Sequence, residues 1–454
     1  VSLENIQQNL GTYLEREMAR LNVPGAAIGI LHDDDEVLIT RGVTNVEHPL
    51  EVDAHTLFQV GSRTKTFTAT ALMRQVEEGR LDLDAPLVSY LPDFSLGTVG
   101  YAERVTARHL LTHTGGWLGD YLLVSPVPGR GEDTLARVVK SICEAPCLTP
   151  PGEVFSYNNT GFSIAGRLLE VLTGTTYEDA IREQILEPLQ MDHTVFFADE
   201  AISERTASGH IVRSGKPAVA RPWGISRCSH PAGAVVSDTR DQLRYARFHL
   251  GNGTAPTGKR ILLAATLAEM QREHVPAGSL CDAVGLAWLL SNVGDTRTVG
   301  HSGGMNGQIS AFTMVPEQQF AITVMTNADT GAVLSKHVVS WTLEHVLGIT
   351  ESAPTPLERD ADLLDEYVGV YAFGIVRIAR KGMHLVVTRQ GIPGSELMEE
   401  TPPPGRLLFY EHDKVVGLDE PSAGDRGEFL RGDDGQITFF RWGGRILPRY
   451  SINE

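Results

Sequence analysis

At 454 residues the chain is too long for one ordinary hydrophobic core, so two or three domains are expected, with the 42% hydrophobic and 21% charged content of a globular protein. Its 57 acidic against 39 basic residues, a net charge of −18, disfavour nucleic acid as a partner, and no apolar run approaches the roughly 20 residues of a membrane span. Cys143, Cys147, Cys228 and Cys281 include no CxxC pair, and Val1–Asn5 shows no basic or apolar leader. Together these read as a reducing, cytoplasmic setting, although a removed signal would leave the same picture.

Taken in order, residues 3–21 carry apolar side chains at 3, 6, 10, 13, 14, 18 and 21, the stripe of an amphipathic helix expected to lie across a sheet. Residues 25–31 and 36–43 are β-rich and flank His32-Asp-Asp-Asp35, which predicts an antiparallel hairpin with an acidic, solvated turn. The stretch Phe58-Gln-Val-Gly-Ser-Arg-Thr-Lys-Thr66 then places Ser62 and Lys65 three apart at a helix start. Helical apolar spacing runs on through Phe67, Ala71, Leu72, Gln75 and Val76 to residue 78.

That spacing suits a nucleophile. Positions i and i+3 share a helix face, and the amino end offers unpaired N–H groups and the positive end of the dipole. A lysine takes the alcohol's proton only if desolvation lowers its pKa. By itself the pattern also reads as an N-cap serine with a solvated lysine one turn on.

Arg108-His-Leu-Leu-Thr-His-Thr-Gly-Gly116 predicts a short helix ended by glycines. His109 and His113 have a metal-compatible spacing but no HExxH glutamate and no third ligand, so they read as packing and capping residues. Pro146 separates Cys143 from Cys147 and makes them ordinary thiols. Residues 150–161 form a loop leading into a helix over 162–172, with Tyr157 and Asn159 at its tip.

Residues 62–290 read as a mainly helical lobe inserted between strands. Strands follow at 298–304, 308–315 and 320–327, then a helix over 334–347 beside the first one. Residues 350–356 form a linker that closes a domain spanning 1–349. Over 357–454, short strands at 367–372, 375–380, 384–388, 406–410, 414–418, 428–430, 436–442 and 445–450 predict a small closed barrel.

Three pieces stand in fixed order: Ser62-x-x-Lys65, Tyr157-x-Asn159 and His301-Ser-Gly303. With Arg108-His-Leu-Leu-Thr-His-Thr, Pro151-Gly-Glu-Val-Phe-Ser-Tyr-Asn-Asn and Pro231-Ala-Gly, they make residues 5–345 resemble the serine β-lactamase and penicillin-binding-protein superfamily. Within it, the chain resembles the branch of class C β-lactamases, D-aminopeptidases and D,D-carboxypeptidase-like enzymes. That branch uses Tyr-x-Asn as its second motif and often His-x-Gly in place of Lys-Thr-Gly. Tyr367-Val-Gly-Val-Tyr371 and Trp442-Gly-Gly-Arg445 resemble, less specifically, the lipocalin-like domain that follows some members.

The resemblance implies an α/β (α+β) fold, an antiparallel sheet flanked by helices with the helical lobe inserted. It implies acylation of Ser62, with Lys65 and Tyr157 handling protons and the identity of the base left open. Asn159 would hydrogen-bond Lys65 and the substrate amide, and the N–H groups of Ser62 and Gly304 would hold the oxyanion, a small residue at 304 letting the backbone approach. His301 and Gly303 would border the substrate, His301 exchanging a permanent cation for a pH-sensitive charge. Arg445 or Arg449 would reach a substrate carboxylate if the barrel covers the cleft.

The implied function is hydrolysis of amide or ester bonds in small peptide-like substrates containing a D-residue. Alternatives are a penicillin-binding-type thioesterase or peptide cyclase, a carboxylesterase or a β-lactamase, and, from another class, a penicillin-binding or sensory protein that acylates without turnover. The mechanism requires no metal and no organic cofactor, no phosphate-binding loop is present, and self-association is left open.

Overall fold

Ile6, Leu10, Leu14 and Met18 form the predicted stripe, and in the computed structural model they are buried on the helix Leu3–Leu21 against Ile28, Ile30, Ile322 and Val324 of a sheet. Leu334 and Val338 of the helix Gly331–Leu347 enter the same core, and Tyr13 stacks on Trp341 at 5.8 Å, so the two helices are neighbours as expected. Residues 3–351, 354–357, 359–371, 376–389 and 403–450 are described, in two compact units. The first comprises residues 1–152, 158–274 and 284–351. The second comprises 153–157, 275–283 and 352–454. Ser352 and Ala353 of the expected linker, and Ala372 and Ile375 at expected strand ends, lie outside the described residues.

In the first unit the strands run Asp35–Gly42, Gly25–His32, Phe320–Thr326, Gln308–Val315, Thr296–Gly300 and Leu289–Val293, each antiparallel to its neighbour. Ile28 faces Val324 on one side and Ile39 on the other, which sets alternate side chains into the core. The single strand expected over 298–304 is two, Thr296–Gly300 and Gly303–Met305. The register carries through, Gly300 facing Thr313 and Gly303 facing Ser310, and His301 N–H still donates to Phe312 O at 3.0 Å. His301 and Ser302 therefore mark a local interruption between these two strands.

The stretch between the strands is largely helical as predicted, though it also carries the hairpin His210–Arg213 and Lys216–Val219. The helix expected from 162 begins three residues earlier, at Asn159, because Asn158 Oδ1 accepts the Gly161 N–H at 2.7 Å and caps it. His109 Nδ1 closes a capping box by accepting the Thr106 N–H. Cys143 and Cys147 are free thiols. No helix among the described residues is long and apolar enough to cross a membrane.

The second unit contains a closed eight-stranded barrel, from Gly369–Tyr371 to Arg445–Tyr450, filled by Tyr371, Val376, Ile378, Leu385, Phe409, Phe429, Phe440 and Trp442. Tyr367, read as a strand residue, ends the 3₁₀ stretch Ala361–Tyr367 instead. Its ring packs on Phe409 and Phe429, and its hydroxyl donates to Asp413 Oδ1 at 3.0 Å. Arg449 is committed to the barrel backbone, donating to Val368 O at 2.7 Å.

Arg63, between the two residues of the first motif, ties the lobe to the sheet. It is 0% exposed and donates to Gln242 Oε1 (2.7 Å), Thr323 Oγ1 (2.8 Å) and Ala311 O (2.7 Å), with its guanidinium 4.9 Å from the Phe312 ring. Burial pushes this group down to about 9. Removing it strands three buried acceptors, each worth about 1 kcal/mol or more. Arg63→Ala is therefore expected to lower unfolding stability by about 3 kcal/mol or more in urea titrations, and Arg63→Lys to recover only part of it because an ammonium cannot span the same fork. A change under about 1 kcal/mol would contradict the tether.

Candidate active site

Gly61–Arg63 forms a single 3₁₀ turn that runs straight into the helix Thr64–Glu77, so Ser62 sits at its amino end as the sequence implied. Lys65, one turn on, is 0% exposed. Its Nζ donates to Ser62 Oγ at 3.0 Å and to Ala232 O at 2.7 Å, and lies 5.5 Å from the centre of the Phe162 ring. A solvated lysine one turn on from an N-cap serine is thereby excluded.

Close backbone packing requires glycine here. Gly61 has φ +56°, and a Cβ on it would stand 2.7 Å from Gly304 N. A Cβ on Gly303 would stand 2.0 Å from Val60 O and 2.7 Å from Ser62 N. A Cβ on Gly304 would meet Ile309 Cδ1 at 3.1 Å and Gln308 O at 4.0 Å. The tightest packing on the serine turn falls at Gly303, because the strand Gly303–Met305 lies directly on it.

The carbonyl that receives Lys65 belongs to the short helix His230–Gly233. That turn is pinned by Glu178, whose carboxylate takes the Arg227 guanidinium at 3.2 and 2.8 Å and lies 2.6 Å from His230 Nδ1. Burial would raise the Glu178 carboxyl, but the hydrogen bonds from His230 and Arg227 outweigh it and hold it at about 2. From the helix side, Thr68 Oγ1 donates to Pro231 O at 2.8 Å and Val235 N–H donates to Thr64 Oγ1 at 3.0 Å. Pro231-Ala-Gly was visible as a motif phrase, but no sequence signal told that its carbonyl, and not a side chain, was the working group. Glu178 and Arg227 gave no signal at all.

The expected charge on His301 changes, while the expected role of Asn159 does not. The amide nitrogen of Asn159 donates to Asp120 Oδ1 at 2.6 Å, so a hydrogen bond from Lys65 would fall to its Oδ1. His301 is buried and its Nδ1 lies 2.6 Å from Ser302 O. Burial, then the nearby Lys65 and Arg63, push it down to about 3, so at neutral pH it is a neutral hydrogen-bonding group and not the pH-sensitive charge expected.

Tyr157 and Arg445 come together within the second unit. Trp442 pairs with Arg445 across a two-residue turn in which Gly443 and Gly444 both have positive φ. Tyr157 N–H donates to Gly444 O at 2.8 Å, Ile446 N–H to Ser156 Oγ at 3.3 Å, and the Arg445 guanidinium lies 4.9 Å from the centre of the Tyr157 ring. Next along the chain, Asn158 N–H donates to His113 Nδ1 at 2.9 Å in the first unit.

A cavity of about 780 Å³ lies in the first unit, bordered by Gln59, Phe197, Trp223, Arg227, Gly233 and Met305. A Cβ on Gly233 would stand 3.9 Å from Gly61 C, so this cavity abuts the serine turn. Its size accommodates a small peptide-like group.

With this geometry in hand, residues 10–338 match the family described as Beta-lactamase. The chain is 35% identical over 314 residues to penicillin-binding protein 4 of Amycolatopsis lactamdurans, covering 67% of this chain and 81% of that one. Its fold resembles the crystal structure of SurE, with a TM-score of 0.76, 24% identity, and 99% of this chain and 100% of that one covered. It also resembles the D-amino acid amidase of Ochrobactrum anthropi in complex with L-phenylalanine, with a TM-score of 0.61, 26% identity, and 74% and 95% covered.

The Glu178 pair gives a pH signature. Its folded value of about 2 lies below the ordinary 4.5, so its stabilisation is fully present above 4.5 and is lost as pH falls toward 2. The difference corresponds to about 3 kcal/mol. Glu178→Gln is expected to unfold earlier in urea than the parent at neutral pH by about that amount, with the gap narrowing steadily below about pH 4. A gap that stays constant with pH would contradict the assignment.

Proposed function

Since the chain belongs to the β-lactamase family of serine hydrolases, we propose that it cleaves amide bonds beside a D-amino acid residue in small peptide-like substrates, through an acyl-enzyme on Ser62. The observation that carries this reading is the fully buried Lys65 with its Nζ 3.0 Å from Ser62 Oγ. The D-residue rests on the likeness to the D-amino acid amidase.

In the proposed reaction Ser62 Oγ attacks the carbonyl carbon while its proton passes toward Lys65. The N–H groups of Ser62 and Gly304 receive the oxyanion. Tyr157 carries the proton to the leaving nitrogen as the C–N bond breaks, and afterwards takes a proton from the water that hydrolyses the ester and returns the hydrogen to Ser62. His301, neutral, contributes a hydrogen bond to this site. The cation for a substrate carboxylate is then Arg445, which already lies over the Tyr157 ring.

A second reading, stable acylation by a penicillin, is favoured by the likeness to penicillin-binding protein 4. Whole-protein mass spectrometry separates the two when the protein is mixed in turn with D- and L-aminoacyl amides, short esters, thioesters and a chromogenic cephalosporin. Turnover of the D-amides with a transient mass gain is expected, falling at least about 10³-fold in Ser62→Ala. A permanent adduct would favour the second reading, and undiminished turnover by Ser62→Ala would defeat both.

A further inference from the structure

His55, which precedes the serine turn, converges with His193 and Asp238, one ligand atom from each lying within 4.8 Å of the others. We propose that these three residues form a binding site for a divalent metal ion of the zinc type, separate from the acylation machinery. His55 Nδ1 and Asp238 Oδ2 are 3.2 Å apart, close to the roughly 3.3 Å that separates two ligands 2.0–2.1 Å from one tetrahedral zinc. His55 is half exposed and free to adjust, whereas Asp238 is 0% exposed.

The buried carboxylate is oriented as a ligand should be. Its Oδ1 accepts the Asp241 N–H at 2.8 Å, capping the helix Thr239–Leu250, which leaves Oδ2 directed at His55. Asp241 in turn accepts the His193 N–H at 2.9 Å and the Thr194 hydroxyl at 2.8 Å, so the loop carrying the second histidine is fixed from the same helix start. His193 Nδ1 is buried and makes no hydrogen bond among the described residues, so this ring has capacity unspent. Glu204 Oε2, 3.8 Å from that nitrogen, stands close enough to supply a fourth ligand or to hold a bound water.

Two imidazoles and one carboxylate with a fourth position open suit a borderline ion such as Zn²⁺ or Co²⁺, and not Ca²⁺ or Mg²⁺, which take oxygen ligands. The three ligands sit on segments that already pair: Phe58 with Ser237, and Val195 with Val236 through two backbone hydrogen bonds of 2.9 Å. A bound ion would brace the chain seven residues before Ser62 without touching the serine.

The test titrates tag-free, chelator-treated protein with Co²⁺, reading the visible absorption of tetrahedral cobalt, and with Zn²⁺ by calorimetry. One equivalent should bind and raise the melting temperature. His55→Gln and His193→Gln should each weaken binding about 100-fold or more, at least the loss that outer-shell changes cause, and abolish the Zn²⁺-dependent thermal shift. His55→Gln alters a half-exposed side chain, so its fold can be checked by its metal-free melting temperature. Absence of stoichiometric cobalt absorption, or unchanged binding by both variants, would overturn the site.

Discussion

A lysine with no exposed surface must be given acceptors, and Lys65 has Ser62 Oγ on one side and Ala232 O on the other. Everything around the site follows from holding those two oxygens in place. Ser62 Oγ is set by the 3₁₀ turn, which Arg63 fastens to the sheet and which Gly303 approaches closely enough to leave no room for a side chain. Ala232 O is set by the 230–233 helix, which Glu178 fastens through Arg227 and His230. The hydrogen bond between motif residues is thus the meeting point of two independently anchored pieces of backbone.

The two anchors solve the cost of a buried guanidinium differently. Arg63 meets three neutral oxygens and remains a cation held by dipoles, with burial lowering its affinity for the proton. Arg227 meets a carboxylate, and there the pair's electrostatics win over desolvation. The difference fits their positions. An anion beside Ser62 would oppose the oxyanion that forms there, whereas Glu178 acts on the site only through Ala232.

The fold was readable where burial writes a period into the sequence: the stripe at Ile6, Leu10, Leu14 and Met18, the hairpin at 25–42, and the short barrel strands. Ser62 and Lys65 were readable because a helix fixes what lies three residues apart. His301 was placed by motif, but its charge was not, because that is decided by groups remote in sequence. The surrounding protein strips water from His301, with Lys65 and Arg63 nearby. Arg63 lies inside the leading motif, yet nothing in Ser-x-x-Lys says whether an intervening arginine faces water or the sheet.

Trp442-Gly-Gly-Arg445 shows how a weak sequence signal becomes a strong structural one. Two consecutive glycines with positive φ make the tight turn whose twist matches paired strands, and that turn exposes the Gly444 carbonyl to the Tyr157 N–H. Arg445, the first residue after the turn, is then directed by the strand pleat onto the Tyr157 ring, where its charge favours the negative face of the phenol. Either glycine replaced by a β-branched residue would strain the turn and shift both contacts at once. The motif residue Tyr157 therefore depends for its backbone setting on a hairpin nearly three hundred residues away in sequence, and the barrel is part of what positions it.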